Sequence, residues 1–541
     1  MSERPTVPGP AESTPAPDPR RGGTDHRSPG EQAPADSPRT HRIRWAGFAG
    51  GLVLALLVYL VMPQDLAHGA RLTAATAVLM GVWWMTETIP IPATALLPLV
   101  VFPVLGDAPI EDVGAQYGND IIFLFLGGFF LALAMQRWDL HRRIALRTVG
   151  VMGTRPVRMV AGFMLATGFL SMWVSNTATA VMMLPIGVSV LLLATTMGED
   201  APRTGGGPAG GPVQDVDPES AEAKDAVIKS DFGTCLMLGI AYAASIGSLA
   251  TLIGTPPNAL LAGYLEEAHG ITIGFGQWML VGVPVATVMM VAAWFLLTKV
   301  LFKPEIAELP GGRRLIRDQL DALGPMSAGE KRVLAVFVLT AASWVFLPAL
   351  VETPPISDAG IALLAGLLLF TLPSGAGRGV RLLDWDSAVK LPWGVLLLFG
   401  GGLALSSQFS DSGLTDWIGT QVEALGTVPV LVLVAAVAGG VIFLTELTSN
   451  TATAATFLPV AGGVALGLGL SPLLLAIPVA LAATCAFMLP VATPPNAIAF
   501  GSGYVTIPQM VRGGLWLNLL GIVLITSATM TLAVWVFGIA Y

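Results

Sequence analysis

Ser175-Asn176-Thr177-Ala178-Thr179-Ala180 recurs letter for letter as Ser449-Asn450-Thr451-Ala452-Thr453-Ala454. Each copy is a polar island inside a long apolar run. Each is followed by a second island, Thr255-Pro256-Pro257-Asn258 after the first and Thr493-Pro494-Pro495-Asn496 after the second. One such island in a membrane helix would read as a kink or a packing feature. Two identical pairs in the same order read as helix breaks placed by an internal duplication, the sequence mark of a binding site at a repeat interface.

The rest of the chain fits a membrane setting. Of its 541 residues 54% are hydrophobic and 12% charged, about half the charged fraction of a soluble domain. Several apolar runs reach the ~20 residues needed to cross a bilayer. The short alternating strands of a membrane β-barrel are missing. The expected fold is therefore an all-α polytopic membrane protein. Cys235 and Cys485 both lie in apolar runs and suggest neither a disulfide framework nor a metal site. His26, His41, His68, His141 and His269 fall in tails or at span ends. No Gly-rich nucleotide loop and no catalytic triad pattern stands out, which argues against an enzyme.

Taken in order, residues 1–43 are rich in Pro, Gly, Ser, Asp and Arg and read as a disordered tail. Arg42 and Arg44 precede the first apolar run and place the N-terminus in the cytoplasm. A first membrane repeat with its leading helix covers 44–302, interrupted by a polar insertion at 198–231. Residues 303–332 read as a cytoplasmic linker, and 333–541 as the second repeat. The segment 121–135 carries Gly127-Gly128 and reads either as a span or as a re-entrant hairpin. A basic patch follows it: Arg137, Arg142, Arg143, Arg147, Arg155 and Arg158. Ala95-Leu96-Leu97 is echoed by Ala362-Leu363-Leu364, and Gly127-Gly128 by Gly400-Gly401. The two islands lie 80 residues apart in the first half (Ser175 to Thr255) and 44 apart in the second (Ser449 to Thr493). The insertion at 198–231 accounts for the difference.

The residue types suit ions. A break at the midplane is tolerated only where it is buried or lines a cavity. Ser, Asn and Thr favour N-caps, so half-helices are expected to begin at Ala178 and Ala452, with positive ends facing the cavity. The prolines stop the incoming helix and suit the first turn of the next. Carbonyls freed at the breaks are hard oxygen ligands for Na⁺. Ser171 shares a helix face with Ser175, and Thr445 with Ser449. Asn176 and Asn450 can each offer a carbonyl to a cation and an amide to a carboxylate. Across 159–197, 233–264 and 424–511 there is no Lys or Arg, and Glu446 is the only charged residue. A dianion held there by dipoles alone would recover little of its desolvation cost, so co-bound cations are the natural remedy. Glu446 reads equally as a functional intramembrane acid or as a buried, hydrogen-bonded one. Glu87 reads as structural. The Gly-Gly pairs read as close-packing sites or as hairpin turns.

With these motifs the chain resembles the divalent anion–sodium symporter family, whose hallmark is the twin Ser-Asn-Thr and Thr-Pro-Pro-Asn set. Trp84-Met85-Thr86-Glu87-Thr88-Ile89-Pro90 and Thr94-Ala95-Leu96-Leu97-Pro98 add to the match, which runs over roughly 45–541. The resemblance implies inverted repeats with about eleven membrane helices and two re-entrant hairpins. It also implies a homodimer in the cell membrane, held by a scaffold domain, with elevator-type movement of a transport domain. Carried over by position, one sodium site uses Ser171, Ser175, Asn176 and Gly254. The other uses Thr445, Thr448, Asn450 and Ala492, partly through backbone carbonyls. Substrate carboxylates meet Ser175, Asn176, Thr177 and Thr255 on one side, and Ser449, Asn450, Thr451 and Thr493 on the other. The expected activity is import of C4-dicarboxylates (succinate, malate, fumarate) with Na⁺ as coupling ion, with no nucleic-acid partner. A sodium-independent exchanger and a proton-coupled carrier using Glu446 are the alternatives.

Overall fold

Ser37 accepts a hydrogen bond from the Thr40 N–H, and Pro38 occupies the first helical position. That cap starts a helix six residues earlier than the composition of the tail suggests. The computed structural model describes residues 37–198, 230–305, 308, 311–351, 354–422 and 428–540. The tail up to residue 36 and residues 199–229 of the polar insertion lie outside that set.

The described chain is helical, with a single isolated bridge between Pro373 and Arg381. The main helices are α1 (Pro38–Val61), α2 (His68–Thr86), α3 (Pro98–Leu105), α4 (Asp120–Arg137), α5 (Leu140–Met152), α6 (Pro156–Ser171) and α7 (Asn176–Gly198). Then come α8 (Asp231–Ser248), α9 (Pro256–His269), α10 (Phe275–Phe295), α11 (Gly312–Ala322), α12 (Ala328–Leu350) and α13 (Asp358–Thr371). The chain continues with α14 (Trp393–Asp411), α15 (Leu414–Gln421), α16 (Val430–Thr445), α17 (Asn450–Gly467), α18 (Leu473–Thr484), α19 (Pro494–Gly501) and α20 (Ile507–Ala528). Among the described residues six helical stretches are long and apolar enough to cross a bilayer, and shorter apolar helices of 10–17 residues accompany them. Those shorter helices include α6, α16 and α18, which end at the breaks. A half-helix needs only half the membrane thickness.

Two groups of helices emerge from the packing. In the first, α6 lies against α8 and α7 against α8, while α16 lies against α18 and α17 against α18. In the second, α1 packs on α2, α4 on α13, and α12 on α13. The first group carries the breaks; the second forms a frame. The Gly-Gly pairs sit inside the continuous helices α4 and α14, so the hairpin-turn reading does not hold. A side chain on Gly127 would collide with the backbone of Ala362, and one on Gly401 with that of Ala95. Each repeat therefore lays its glycine on the Ala-Leu-Leu alanine of the other. Small residues allow this approach, and it is the kind of contact that holds helices together where lipid removes the hydrophobic driving force.

The linker is more ordered than its mixed charge suggests. It contains α11, which packs along α5. Arg143, which reads as part of a surface patch, is buried. It pairs with Glu330 (2.6 Å) and donates to the carbonyls of Gly324 (2.9 Å) and Leu323 (3.2 Å). Glu330 also closes a capping box with Ser327 at the start of α12. A buried guanidinium is retained only with such a complete set of partners. Nearby, Arg137 pairs with Asp384, and hydrogen bonds from Arg137 and Ser387 hold the Asp384 carboxyl well below the usual carboxylate range.

Candidate cation and anion site

In the first half, α6 stops at Ser171 and α7 starts at Asn176. Ser175 caps α7: its Oγ accepts from the Ala178 N–H (3.3 Å) and its carbonyl from the Thr179 N–H (3.0 Å). The new helix thus opens at Asn176, two residues before the expected Ala178, because the serine rather than the threonine serves as cap. α8 ends at Ser248, and Leu249–Gly254 run unwound and buried to Thr255, which is extended (φ −145°, ψ 143°). Pro256 and Pro257 then begin α9.

The second half repeats the backbone course, with the side-chain cap shifted from the serine to Thr493, whose hydroxyl accepts from the Asn496 N–H (3.3 Å). α16 stops at Thr445, Ser449 is the extended cap (φ −67°, ψ 131°), and α17 opens at Asn450, again two residues early. α18 ends at Thr484, and the chain runs unwound to Thr493 (φ −141°, ψ 149°), where Pro494 starts α19.

Each half closes an oxygen cluster over its break. The Ser171 hydroxyl faces Asn176 Oδ1 (2.9 Å) and the Ala244 carbonyl (2.6 Å). The Thr445 hydroxyl faces Asn450 Oδ1 (2.8 Å) and the Ala483 carbonyl (2.9 Å). A hydroxyl has one proton, so each cluster gathers three oxygens around a single hydrogen. Ser171 and Thr445 are fully buried. Among the described residues no group of three His, Cys, Asp or Glu converges, so the donors here are neutral hydroxyl, amide and peptide oxygens. That set fits a hard cation such as Na⁺ better than a soft transition metal.

The Thr-Pro-Pro-Asn asparagines act differently from the Ser-Asn-Thr ones. Asn258 Nδ2 donates to the carbonyls of Leu249 (3.2 Å) and Thr251 (2.8 Å). Asn496 Nδ2 donates to those of Ala486 (3.1 Å) and Leu489 (3.1 Å). Both side chains are fully buried and both leave Oδ1 without a hydrogen-bond partner. They clamp the unwound segments from the far side. Trp278 Nε1 adds a bond to the Leu249 carbonyl (3.1 Å). The sequence reading missed these clamps, although repetition of the asparagine was the available signal.

Glu446 resolves toward its buried reading. Its carboxylate accepts from the backbone N–H groups of Phe487 (2.7 Å), Met488 (2.9 Å) and Leu489 (3.0 Å), and from Asn518 Nδ2 (2.7 Å). It anchors the second unwound segment to α20. The corresponding place in the first half is Met172, whose backbone carbonyl accepts from the Thr251 hydroxyl instead.

The halves interlock. α7 packs against α19, and α17 against α9, so each Ser-Asn-Thr helix meets the Thr-Pro-Pro-Asn helix of the other half. Thr255 and Thr484 face each other across the join (3.3 Å between hydroxyls). Burial sorts the expected residues into two layers. Ser171, Gly254, Thr255, Thr445, Ala492 and Thr493 are buried, whereas Ser175, Asn176, Thr177, Ser449, Asn450 and Thr451 reach the surface of the site. The Thr448 hydroxyl is engaged locally. It donates to the Leu444 carbonyl (3.1 Å) and pairs with Thr453 (2.6 Å), and Thr448 lines an apolar cavity against Val78 and Gly81 of α2. Only its carbonyl remains for a cation.

Comparison with known proteins identifies the family. A family model described as the sodium:sulfate symporter transmembrane region matches residues 44–539. The sodium-dependent dicarboxylate transporter SdcS of Staphylococcus saprophyticus is 44% identical, over 91% of this chain and 91% of its own. SdcS of Staphylococcus aureus strain USA300 is 42% identical, over 89% and 90%. Among solved structures, Neisseria gonorrhoeae MtrF, described with a class of antimetabolite efflux pumps, has a TM-score of 0.50 at 11% identity, covering 90% of this chain and 98% of its own; that likeness concerns the fold alone. The chain belongs to the sodium:sulfate symporter family, the divalent anion–sodium symporters, and is a polytopic membrane transporter rather than an enzyme.

Proposed function

We propose that this protein imports C4-dicarboxylates such as succinate, malate and fumarate across the cell membrane, driven by Na⁺. The observation that carries the reading is the pair of oxygen clusters around Ser171–Asn176 and Thr445–Asn450, each beneath a half-helix N-terminus. Cations seated there put positive charge below an anion that meets no Lys or Arg in the core segments. In this reading Ser175, Thr177, Ser449 and Thr451, which are not buried, donate to its carboxylates. The names of the SdcS relatives support both the ion and the substrate class. In this reading Gly254, Thr448 and Ala492 contribute backbone oxygens, and the break-bearing helices move as a body against the frame in a homodimer.

Proton coupling through Glu446 is disfavoured because its carboxylate is committed to four hydrogen bonds. Labelled succinate uptake into proteoliposomes tests the proposal. An inward Na⁺ gradient is expected to drive accumulation. Uptake that ignores Na⁺ and requires internal dicarboxylate would instead identify an exchanger.

A further inference from the structure

The two halves of the site differ in how they meet the frame. In the first half the break is sealed by aromatic rings. Trp173, two residues before Ser175, stacks on Phe275 (6.0 Å between centroids) and on Trp344 (6.5 Å), and meets Phe337 edge-on (5.0 Å). Phe275 and Trp344 stack at 4.3 Å. All four rings are buried. Trp173 and Phe275 belong to the break-bearing group, since α10 packs on α8. Phe337 and Trp344 belong to α12 of the frame.

One polar contact pins this stack across the boundary. Asp358, the first residue of α13, accepts from the Phe275 N–H through Oδ2 (2.7 Å). Phe275 is the first residue of α10, so this N–H is one of the four at a helix start that find no partner within the helix. The Asp358 carbonyl accepts from Trp344 Nε1 (2.9 Å). Asp120 and Glu266 line the same cavity as Asp358. The contact is a single hydrogen bond across the boundary, beside a polar cavity. In the second half Leu447, matching Trp173, is 69% exposed, and Val491 in the unwound segment 79%.

We propose that Asp358 is a positioning residue for transport, a latch that holds the aromatic seal shut on one side of the membrane while the site is open on the other. The seal lies at the Asp120 end of α4, away from the end at which Arg137 and the basic patch follow. The latch must open in each cycle for the opposite side to gain access. This inference rests on the reading that the break-bearing helices move against the frame.

The test uses the full-length protein in membrane vesicles. Cys235 and Cys485 are fully buried, so introduced cysteines report access to a membrane-impermeant maleimide. Ile273→Cys reports the sealed side, where Ile273 is 5% exposed, and Val491→Cys the open one. Asp358→Ala, which deletes the acceptor, is expected to raise labelling of I273C about tenfold and to lower that of V491C, as loss of a charge-assisted hydrogen bond implies. Asp358→Asn keeps an acceptor oxygen and is expected to restore most of the wild-type pattern. Trp344→Phe, which keeps the stack and loses the bond to Asp358, is expected to shift labelling the same way by a smaller factor, and serves if D358A does not fold. Unchanged labelling at both reporters in D358A and W344F overturns the latch even where wild-type Na⁺-driven uptake is normal. Absence of that uptake in the wild type overturns the transport reading instead.

Discussion

Glu446 shows how a carboxylate can sit in a membrane core when freed backbone N–H groups surround it. Three backbone N–H groups freed by the break at 485–493 would be orphans in lipid, and the carboxylate takes all three. Hydrogen bonds to a charged group are worth about 1.5–3 kcal/mol each, more than neutral ones. Glu446→Gln replaces one acceptor oxygen by a donor that faces other donors. The expected outcome is at least a tenfold rise in the Na⁺ concentration giving half-maximal succinate uptake, with the pH profile of uptake unchanged. A flattened pH profile would return Glu446 to a proton-carrying role. Ser171 and Thr445 make matching contacts in the two clusters. Ser171→Ala and Thr445→Ala should each weaken Na⁺ dependence of uptake about tenfold and leave the melting temperature nearly unchanged. If either variant keeps wild-type Na⁺ dependence, its cluster is not a cation seat.

At the scale of elements, the central feature is a helix interrupted where backbone groups cannot reach water, and each interruption needs its own fasteners. Asn496 supplies two of them to Ala486 and Leu489. Asn496→Asp keeps the shape but turns an oxygen toward those carbonyls. Thermal unfolding in detergent should fall by several degrees, and uptake should be lost, because a buried group facing like partners costs several kcal/mol. A stable, active N496D would mean that the clamp is dispensable. The breaks themselves were legible in the sequence, because Ser-Asn-Thr and Thr-Pro-Pro-Asn in apolar runs have few other uses. Their fasteners were not. Glu446 reaches a segment 41 residues away and Asn518 72 away, and such pairings leave no local pattern. The start of α1 was missed for the opposite reason: a single Ser-Pro cap overrode a disorder-prone composition. Arg143 looked like surface charge because its partner Glu330 lies 187 residues away.

At the scale of the whole molecule, the duplication produces two halves that complete each other. Gly127 rests on Ala362 and Gly401 on Ala95, and each Ser-Asn-Thr helix meets the other half's Thr-Pro-Pro-Asn helix. Gly401→Val should therefore prevent correct assembly of the repeats, seen as loss of a monodisperse species on size exclusion; a well-behaved variant would show that the backbones can separate. In the proposed function two cations, one at each oxygen cluster, serve a single anion. The most direct measurement is succinate binding to the purified protein, titrated by calorimetry across Na⁺ concentrations with choline as the replacement ion. Binding should be absent in choline, and affinity should rise with Na⁺ with a log–log slope approaching two. Equal affinity with and without Na⁺ would contradict the claim that cations seated at the helix breaks make the dianion tolerable.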